Sequence, residues 1–386
     1  MEPALFCFHT PAALHFEWGG ASRLGSLLGN WFSQRSLLLV TDRFLRESGL
    51  LAPALKSLGE SGFKVTIFDA VVADPPESVL MDCLARGRDA EADIVVGLGG
   101  GSSMDVAKLA AVMLVSEQRL GELYGIGKIA GGRVPLVQIP TTAGTGSEVT
   151  NISILTTGES EKMGIVAPQL YADRVLLDAE LTVGLPRPQT AATGIDAMVH
   201  AIEAYTGRHK KNPVSDLLAR EALRLMSANL IRACTHGDDR VAREAMLLGS
   251  TLAGQAFANS PVGAVHALAY PLGGRYHLPH GLTNALMLGP VLRFNMTAAA
   301  PLYAELADVI SAPKDEGIHA RAAQFVSTMQ GLMEQSGAPL RLRDVDVPEQ
   351  DIPMLARDAM KQTRLLINNP AEINEADAAR LYREAY

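Results

Sequence analysis

Four residues in the middle of the chain have the types and spacing to hold a metal ion. Asp196 and His200 stand four apart in "TGIDAMVHAIEAY", a run without proline whose apolar residues recur at helical spacing. On an α-helix, positions i and i+4 share one face about one turn apart, so a carboxylate oxygen and an imidazole nitrogen there can grip one cation. His266 and His280, in "VGAVHALAYPLGGRYHLPHG", supply two further nitrogens from a second segment. Three nitrogens and one oxygen suit a divalent transition metal such as Fe²⁺ or Zn²⁺ rather than Ca²⁺ or Mg²⁺. A metal in such a set acts as a Lewis acid on a substrate oxygen.

Two kinds of sequence surround these residues. Up to about Arg187, short apolar runs alternate with helical patterns. "SLLLVTD" (36–42) and "FKVTIFD" (63–69) read as strands, with a helical run between them that Gly62 closes. "DIVVGLGGGSSMDVAKLAAVMLV" (93–115) reads as strand, glycine turn and helix, and "VPLVQIPTTAGTGSE" (134–148) as a strand entering a Gly/Thr turn. Strands and helices in this order imply a parallel sheet with helices on its faces. Beyond Pro186 and Pro188 the strand signal fades, and Ala-, Leu- and Met-rich helical runs continue to "EINEADAARLYREAY". The expected organisation is an α/β domain over residues 1–185 and an all-helical domain, carrying the metal residues, over 186–386.

The first domain holds two turns of chemical interest and one carboxylate. Gly99-Gly100-Gly101-Ser102 joins a strand to a helix. Glycines let the backbone approach a phosphate, and the free N–H groups and dipole of the helix favour its charge. The pattern is not the G-x-G-x-x-G of a Rossmann turn. Asp42 closes the first buried strand at its carboxyl end, where ligands bind in open α/β sheets. It can accept from the ribose 2′-hydroxyl of NAD and would repel the 2′-phosphate of NADP; the alternative is a helix N-cap.

Composition narrows the class. The chain has 386 residues, of which 48% are hydrophobic, and a net charge of −8. This is enough for two domains with sizeable cores, and it leaves no basic footprint for nucleic acid. No apolar run approaches the roughly 20 residues of a membrane span. The N-terminus has Glu2 and no basic leader, and Cys7, Cys83 and Cys234 fit no CxxC or disulfide pattern. A reducing cytoplasm is expected.

Both metal segments resemble the signatures of the iron-containing (group III) alcohol dehydrogenases, and the likeness covers nearly the whole chain. It is weakest in the first ~30 residues and over 300–360. The resemblance implies the dehydroquinate synthase-like fold of that family: an α/β dinucleotide-binding domain and an all-α metal-binding domain. It implies that Asp196, His200, His266 and His280 bind the catalytic metal. "GGGSSMDVAK" is similar to the segment that holds the cofactor's pyrophosphate, which brings in Gly100, Gly101 and Ser102. "IPTTAGTGSEVT" resembles the motif that contacts the nicotinamide ribose and phosphates, which brings in Thr141, Thr142, Thr145 and Ser147. Lys162 stands where the family has a lysine near the nicotinamide-side ribose. The matching Asp42 is associated with NAD preference. Phe257 and Leu365 are placed in the substrate pocket by their position relative to family motifs. Tyr270 is a departure: many members have a histidine four residues after the first histidine of the second motif. Its phenol either relays a proton or packs as an aromatic ring.

The activity expected is reversible NAD-dependent oxidation of a small alcohol to an aldehyde or ketone, with Fe²⁺ (or Zn²⁺) as metal, by a homodimer or larger oligomer without nucleic-acid or membrane partners. A maleylacetate reductase-like enzyme would share the fold and the NAD, but the intact Asp/His set argues against it. A hydroxyacid–oxoacid transhydrogenase, which keeps its nicotinamide between half-reactions, is a second alternative. A dehydroquinate synthase-like lyase would need a Lys/Arg cluster for its substrate phosphate, and none stands out. A non-catalytic nucleotide-binding protein has no reason to keep four convergent ligands.

Overall fold

The computed structural model describes residues 5–158, 161–310 and 317–386. The chain divides into two compact units. One comprises Thr10–Thr142 and Ser147–Val183. The other comprises Gly184–Tyr386 together with Ala143–Gly146 and the N-terminal residues up to His9.

Among the described residues the first unit has nine strands: β1 (Leu14–Phe16), β2 (Ser36–Asp42), β3 (Lys64–Val71), β4 (Ile94–Gly99), β5 (Gly125–Ile126), β6 (Leu136–Pro140), β7 (Ile152–Thr157), β8 (Glu161–Val166) and β9 (Arg174–Leu177). Six of them form a wholly parallel sheet in the order β1-β9-β6-β4-β2-β3. Its helices are α1 (Leu24–Trp31), α2 (Arg43–Glu47), α3 (Ala52–Glu60), α4 (Glu77–Asp89), α5 (Gly101–Met113) and the single turn α6 (Leu120–Leu123).

Period-two alternation explains the layers. Leu37, Leu39, Val96, Leu98, Val137 and Ile139 share one core cluster with Leu24, Leu28, Leu51 and Leu58 of the α1 and α3 side. Leu38, between two of these, packs instead against α4 at Gly87. With both faces covered, β2 and β4 are apolar almost throughout, as buried parallel strands are.

Two details differ from the expectation. The helical run after β2 is two helices, α2 and α3, because the segment between them turns through Gly49 at φ +81°. A second sheet, β5-β8-β7, includes the antiparallel pair β7/β8. A strand–helix alternation read along the chain assigns no hairpin to residues 152–166.

The second unit is helical among its described residues: α7 (Arg187–Thr206), α8 (Pro213–Thr235), α9 (Arg240–Asn259), α10 (Ala264–Tyr276), α11 (His280–Ile310), α12 (Ile318–Ser336), α13 (Ile352–Ala359), α14 (Thr363–Leu366) and α15 (Glu375–Glu384), with short 3₁₀ turns. Pro186 and Pro188 flank the first helical residue of α7, where a missing N–H leaves no bond unmade. From Gly194 to Thr206 every residue of α7 is buried, so polar groups on this helix must find partners inside the protein.

Candidate metal centre and nucleotide-binding turns

Asp196 and His200 lie one turn apart on buried α7, His266 lies in the first turn of α10, and His280 begins α11. Three helices thus bring the four residues together. Their donor atoms all lie within 4.8 Å of one another. Oδ1 of Asp196 stands 3.9 Å from Nε2 of His200, 4.0 Å from Nε2 of His266 and 3.8 Å from Nε2 of His280.

The three separations from Asp196 fit a first-row metal. Bonds of about 2.0–2.2 Å put tetrahedral donors roughly 3.4 Å apart and opposed donors at most about 4.4 Å apart. The protonation states fit as well. Burial pushes the His200 imidazole down to about 3, so at neutral pH it has a lone pair to give. Asp196 is 1% exposed. Burial opposes its charge, but the three facing imidazoles and the Asn284 amide hold its carboxyl below the ordinary value.

Two residues of this centre were not singled out from the sequence. Glu203, on α7, accepts from the Val265 backbone N–H at 2.7 Å and lies 2.6 Å from Nδ1 of His266. Asn284, one turn after His280 on α11, has its Nδ2 2.5 Å from Asp196 Oδ1, 3.2 Å from His266 Nε2 and 3.3 Å from His280 Nε2. The available signals were a glutamate at helical spacing from both Asp196 and His200, and an asparagine four residues after His280. Exposed positions carry the same spacings, so the signals are weak.

The pocket residues named from the sequence come together beside the centre. Phe257 stacks on the His200 ring, with centroids 4.3 Å apart. Phe257, Tyr270 and Leu366 pack against a small buried cluster of Val262, Ala267 and Leu365. The Tyr270 ring is 6.1 Å from that of His280 and tilted by 56°. His277, three residues before His280, is exposed and lies outside the cage.

In the first unit, six of the residues expected at the cofactor lie at the carboxyl ends of three adjacent parallel strands. Asp42 ends β2, Gly100-Gly101-Ser102 follow β4, and Thr141-Thr142 follow β6. The Thr141 N–H donates to Gly99 O at 3.0 Å, and Thr142 faces the space a side chain at Gly100 would take. No side chain caps the N-terminus of α5, which leaves its first N–H groups for an anion. Asp42 is the N-cap of α2, with Oδ1 accepting from the Leu45 N–H at 2.9 Å.

Ser147 is enclosed in a buried network. Its hydroxyl donates to Asp105 Oδ1 at 2.6 Å and accepts from Lys108 Nζ at 2.8 Å. Asp105 Oδ2 also accepts from the Ile154 N–H at 2.9 Å, and Lys108 reaches Thr150 Oγ1 at 3.0 Å and Ile152 O at 2.7 Å. The network ties α5 to the segment after the Thr/Gly turn. Burial lowers the Lys108 ammonium below its ordinary value, although Asp105 opposes this. Lys162, on β8, is ion-paired with Asp74 at 2.7 Å.

The middle of the Thr/Gly turn, including Thr145, belongs to the helical unit. Side chains at Gly144 and Gly146 would meet Thr193 and Gly254, each at 2.6 Å, and Gly146 has φ +61°. Only glycine fits both places.

An Asp/His₃ cluster in a helical unit, with an α/β unit that has a glycine turn at its strand ends, suits a metal- and nucleotide-dependent class of enzyme. Known proteins sharpen this. Residues 11–179 match the family model for iron-containing alcohol dehydrogenase, and residues 190–386 match that for the C-terminal part of the same family. The chain is 38% identical to 1,3-propanediol dehydrogenase of Klebsiella pneumoniae, over 100% of both proteins. Its fold superposes on the crystal structure of a 1,3-propanediol oxidoreductase with a TM-score of 0.95 at 36% identity, covering 99% of this chain and 100% of that one. It also superposes on sulfoacetaldehyde reductase from Bifidobacterium kashiwanohense, solved in complex with NAD⁺, with a TM-score of 0.88 at 29% identity, covering 99% and 98%.

The chain belongs to the iron-containing alcohol dehydrogenase family. It is an enzyme, and its reaction is NAD-linked oxidation of alcohols at an iron-type centre.

Proposed function

We propose that Asp196, His200, His266 and His280 hold a divalent iron (zinc being the alternative ion) and that the substrate is a small, weakly polar alcohol. The observation that carries the reading is the convergence of four donors from three helices, all within 4.8 Å, at a buried site. Iron bound there supplies Lewis acidity at the substrate oxygen, and NAD supplies the hydride acceptor. The chain's own residues do the rest. Phe257, Val262, Tyr270, Leu365 and Leu366 form an apolar wall that keeps water from the ligand side chains and suits a short hydrocarbon chain. Tyr270 serves in this wall as packing.

For the nucleotide, the free N–H groups at the start of α5 and the backbone of Gly100, Gly101 and Ser102 take the pyrophosphate. Thr141, Thr142 and Thr145 address the nicotinamide ribose and phosphates. Lys162, steadied by Asp74, serves the nicotinamide-side ribose. Ser147 supports the turn from behind, through Asp105 and Lys108. Asp42 uses one oxygen as the cap of α2 and offers the other to the ribose 2′-hydroxyl of NAD.

In this reading the working form is a cytoplasmic homodimer or larger oligomer with no nucleic-acid partner. The net charge of −8 supports the last point. No described helix is long and apolar enough to cross a membrane.

The test is His266→Ala, followed by metal analysis of anaerobically purified protein and turnover with propan-1-ol and NAD. Metal content and activity are expected to fall together while the fold survives. Full activity in a variant shown to be metal-free would overturn the reading.

A further inference from the structure

We propose that Glu203 is a positioning residue of the metal cage, which locks His266 in the tautomer that presents Nε2 to the ion. This rests on the metal-centre reading above.

Glu203 lies on α7, seven residues after Asp196 and three after His200, and its side chain is 6% exposed. A glutamate so buried needs strong partners. It has two, on consecutive residues of another helix. Oε1 accepts from the Val265 N–H at 2.7 Å, and Oε2 lies 2.6 Å from Nδ1 of His266. Val265 stands in the first turn of α10, where backbone N–H groups have no partner within the helix. The glutamate therefore satisfies a helix end and a side chain together.

The chemistry follows from donor and acceptor roles. A carboxylate is acceptor-only, so the hydrogen shared with His266 belongs to Nδ1. A neutral imidazole protonated at Nδ1 carries its lone pair on Nε2. That nitrogen is the one on the cage side, 4.0 Å from Asp196 Oδ1. Gripping residues 265 and 266 at once also fixes the rotation of the ring and the position of α10 relative to α7. Asp196, His200 and Glu203 thus make α7 both a source of ligands and the clamp on a third.

Glu203→Gln keeps the size but replaces one acceptor with an NH₂ group. That group must face either the Val265 N–H or Nδ1 of His266. The first arrangement sets two donors against each other, and the second favours a proton on Nε2. With Co²⁺ as the probe, added to metal-free protein, competition with a chelator gives affinity and the visible d–d bands give geometry. Wild type is expected to bind one Co²⁺ per chain, and Glu203→Gln to bind it 10–100-fold more weakly with shifted bands. Glu203→Asp, still acceptor-only, should retain more affinity than Glu203→Gln. Wild-type affinity and bands in Glu203→Gln would overturn the proposal, as would an aspartate variant weaker than the glutamine one. No Co²⁺ binding by wild type would instead defeat the metal-centre reading itself. Should Glu203→Gln not fold, ¹⁵N spectra of the metal-free wild-type histidines decide. The His266 signals, identified by their loss in His266→Ala, are expected to show a protonated Nδ1, and a protonated Nε2 would refute the proposal.

Discussion

Phe257 lies against His200, its ring centroid 4.3 Å away and its plane 22° from parallel. The His200 imidazole and the Phe257 ring are therefore one packed unit. His200 in turn stacks on His266 at 4.8 Å. Phe257 on one side and His266 on the other leave the His200 ring little freedom to rotate.

Phe257→Ala should separate these two roles. Removing the ring deletes part of the substrate wall and a stacking contact of about 0.5–1.5 kcal/mol. Specificity, kcat/KM, for propan-1-ol is expected to fall about tenfold or more, most of it in KM, while metal stoichiometry stays at one per chain. Unchanged kcat/KM across a panel of alcohols of increasing chain length would remove Phe257 from the pocket.

Asn284 is the partner of Asp196 at 2.5 Å, and both residues are buried. Asn284→Leu keeps the volume and removes the donor, leaving a buried carboxylate short of a hydrogen bond. Metal-free protein should lose about 1–3 kcal/mol of stability. Urea unfolding of metal-free wild type and variant, side by side, measures this. Coincident midpoints would mean that the amide does not support the carboxylate.

Asp42 both caps α2 and ends β2. Asp42→Ser retains a good cap and removes the charge, which separates helix stability from cofactor choice. The ratio of kcat/KM for NADP to that for NAD should rise tenfold or more, with little change in melting temperature. A wild-type enzyme that already used both cofactors equally would end the assignment.

Tyr270 sits in the apolar cluster with its ring 6.1 Å from that of His280. If the residue packs, Tyr270→Phe keeps the ring and the rate changes less than tenfold. A proton relay through the hydroxyl would contribute roughly 10²–10⁴-fold. The profile of kcat against pH for wild type and variant, with one alcohol, distinguishes the two. A hundredfold loss with metal content and NAD affinity intact would contradict packing.

Local features of this protein can be read from residues close together in the chain. The pair Asp196 and His200 is legible because one helical turn brings i and i+4 together whatever else the chain does. The runs at 36–42 and 94–99 are legible because a strand covered on both faces must be apolar throughout. The glycine turn after β4 announces itself because close backbone approach excludes side chains.

Other features depend on contacts between distant segments. No spacing rule brings His266 and His280 to Asp196; that needs α11 packed against both α7 and α10. The strand order β1-β9-β6-β4-β2-β3 depends on non-local pairings, among them β1 with β9, more than a hundred residues away. Residues 143–146 read as part of a nucleotide turn, yet they belong to the helical unit, since Gly144 and Gly146 fit only against Thr193 and Gly254. Glu203 and Asn284 look like ordinary helix residues in the chain. Their significance comes from burial, because a polar group removed from water must be paired, and here the available partners are the metal-site residues themselves. Helical and strand periodicity is a property of neighbouring residues, whereas a cage built from three helices is a property of how their faces meet.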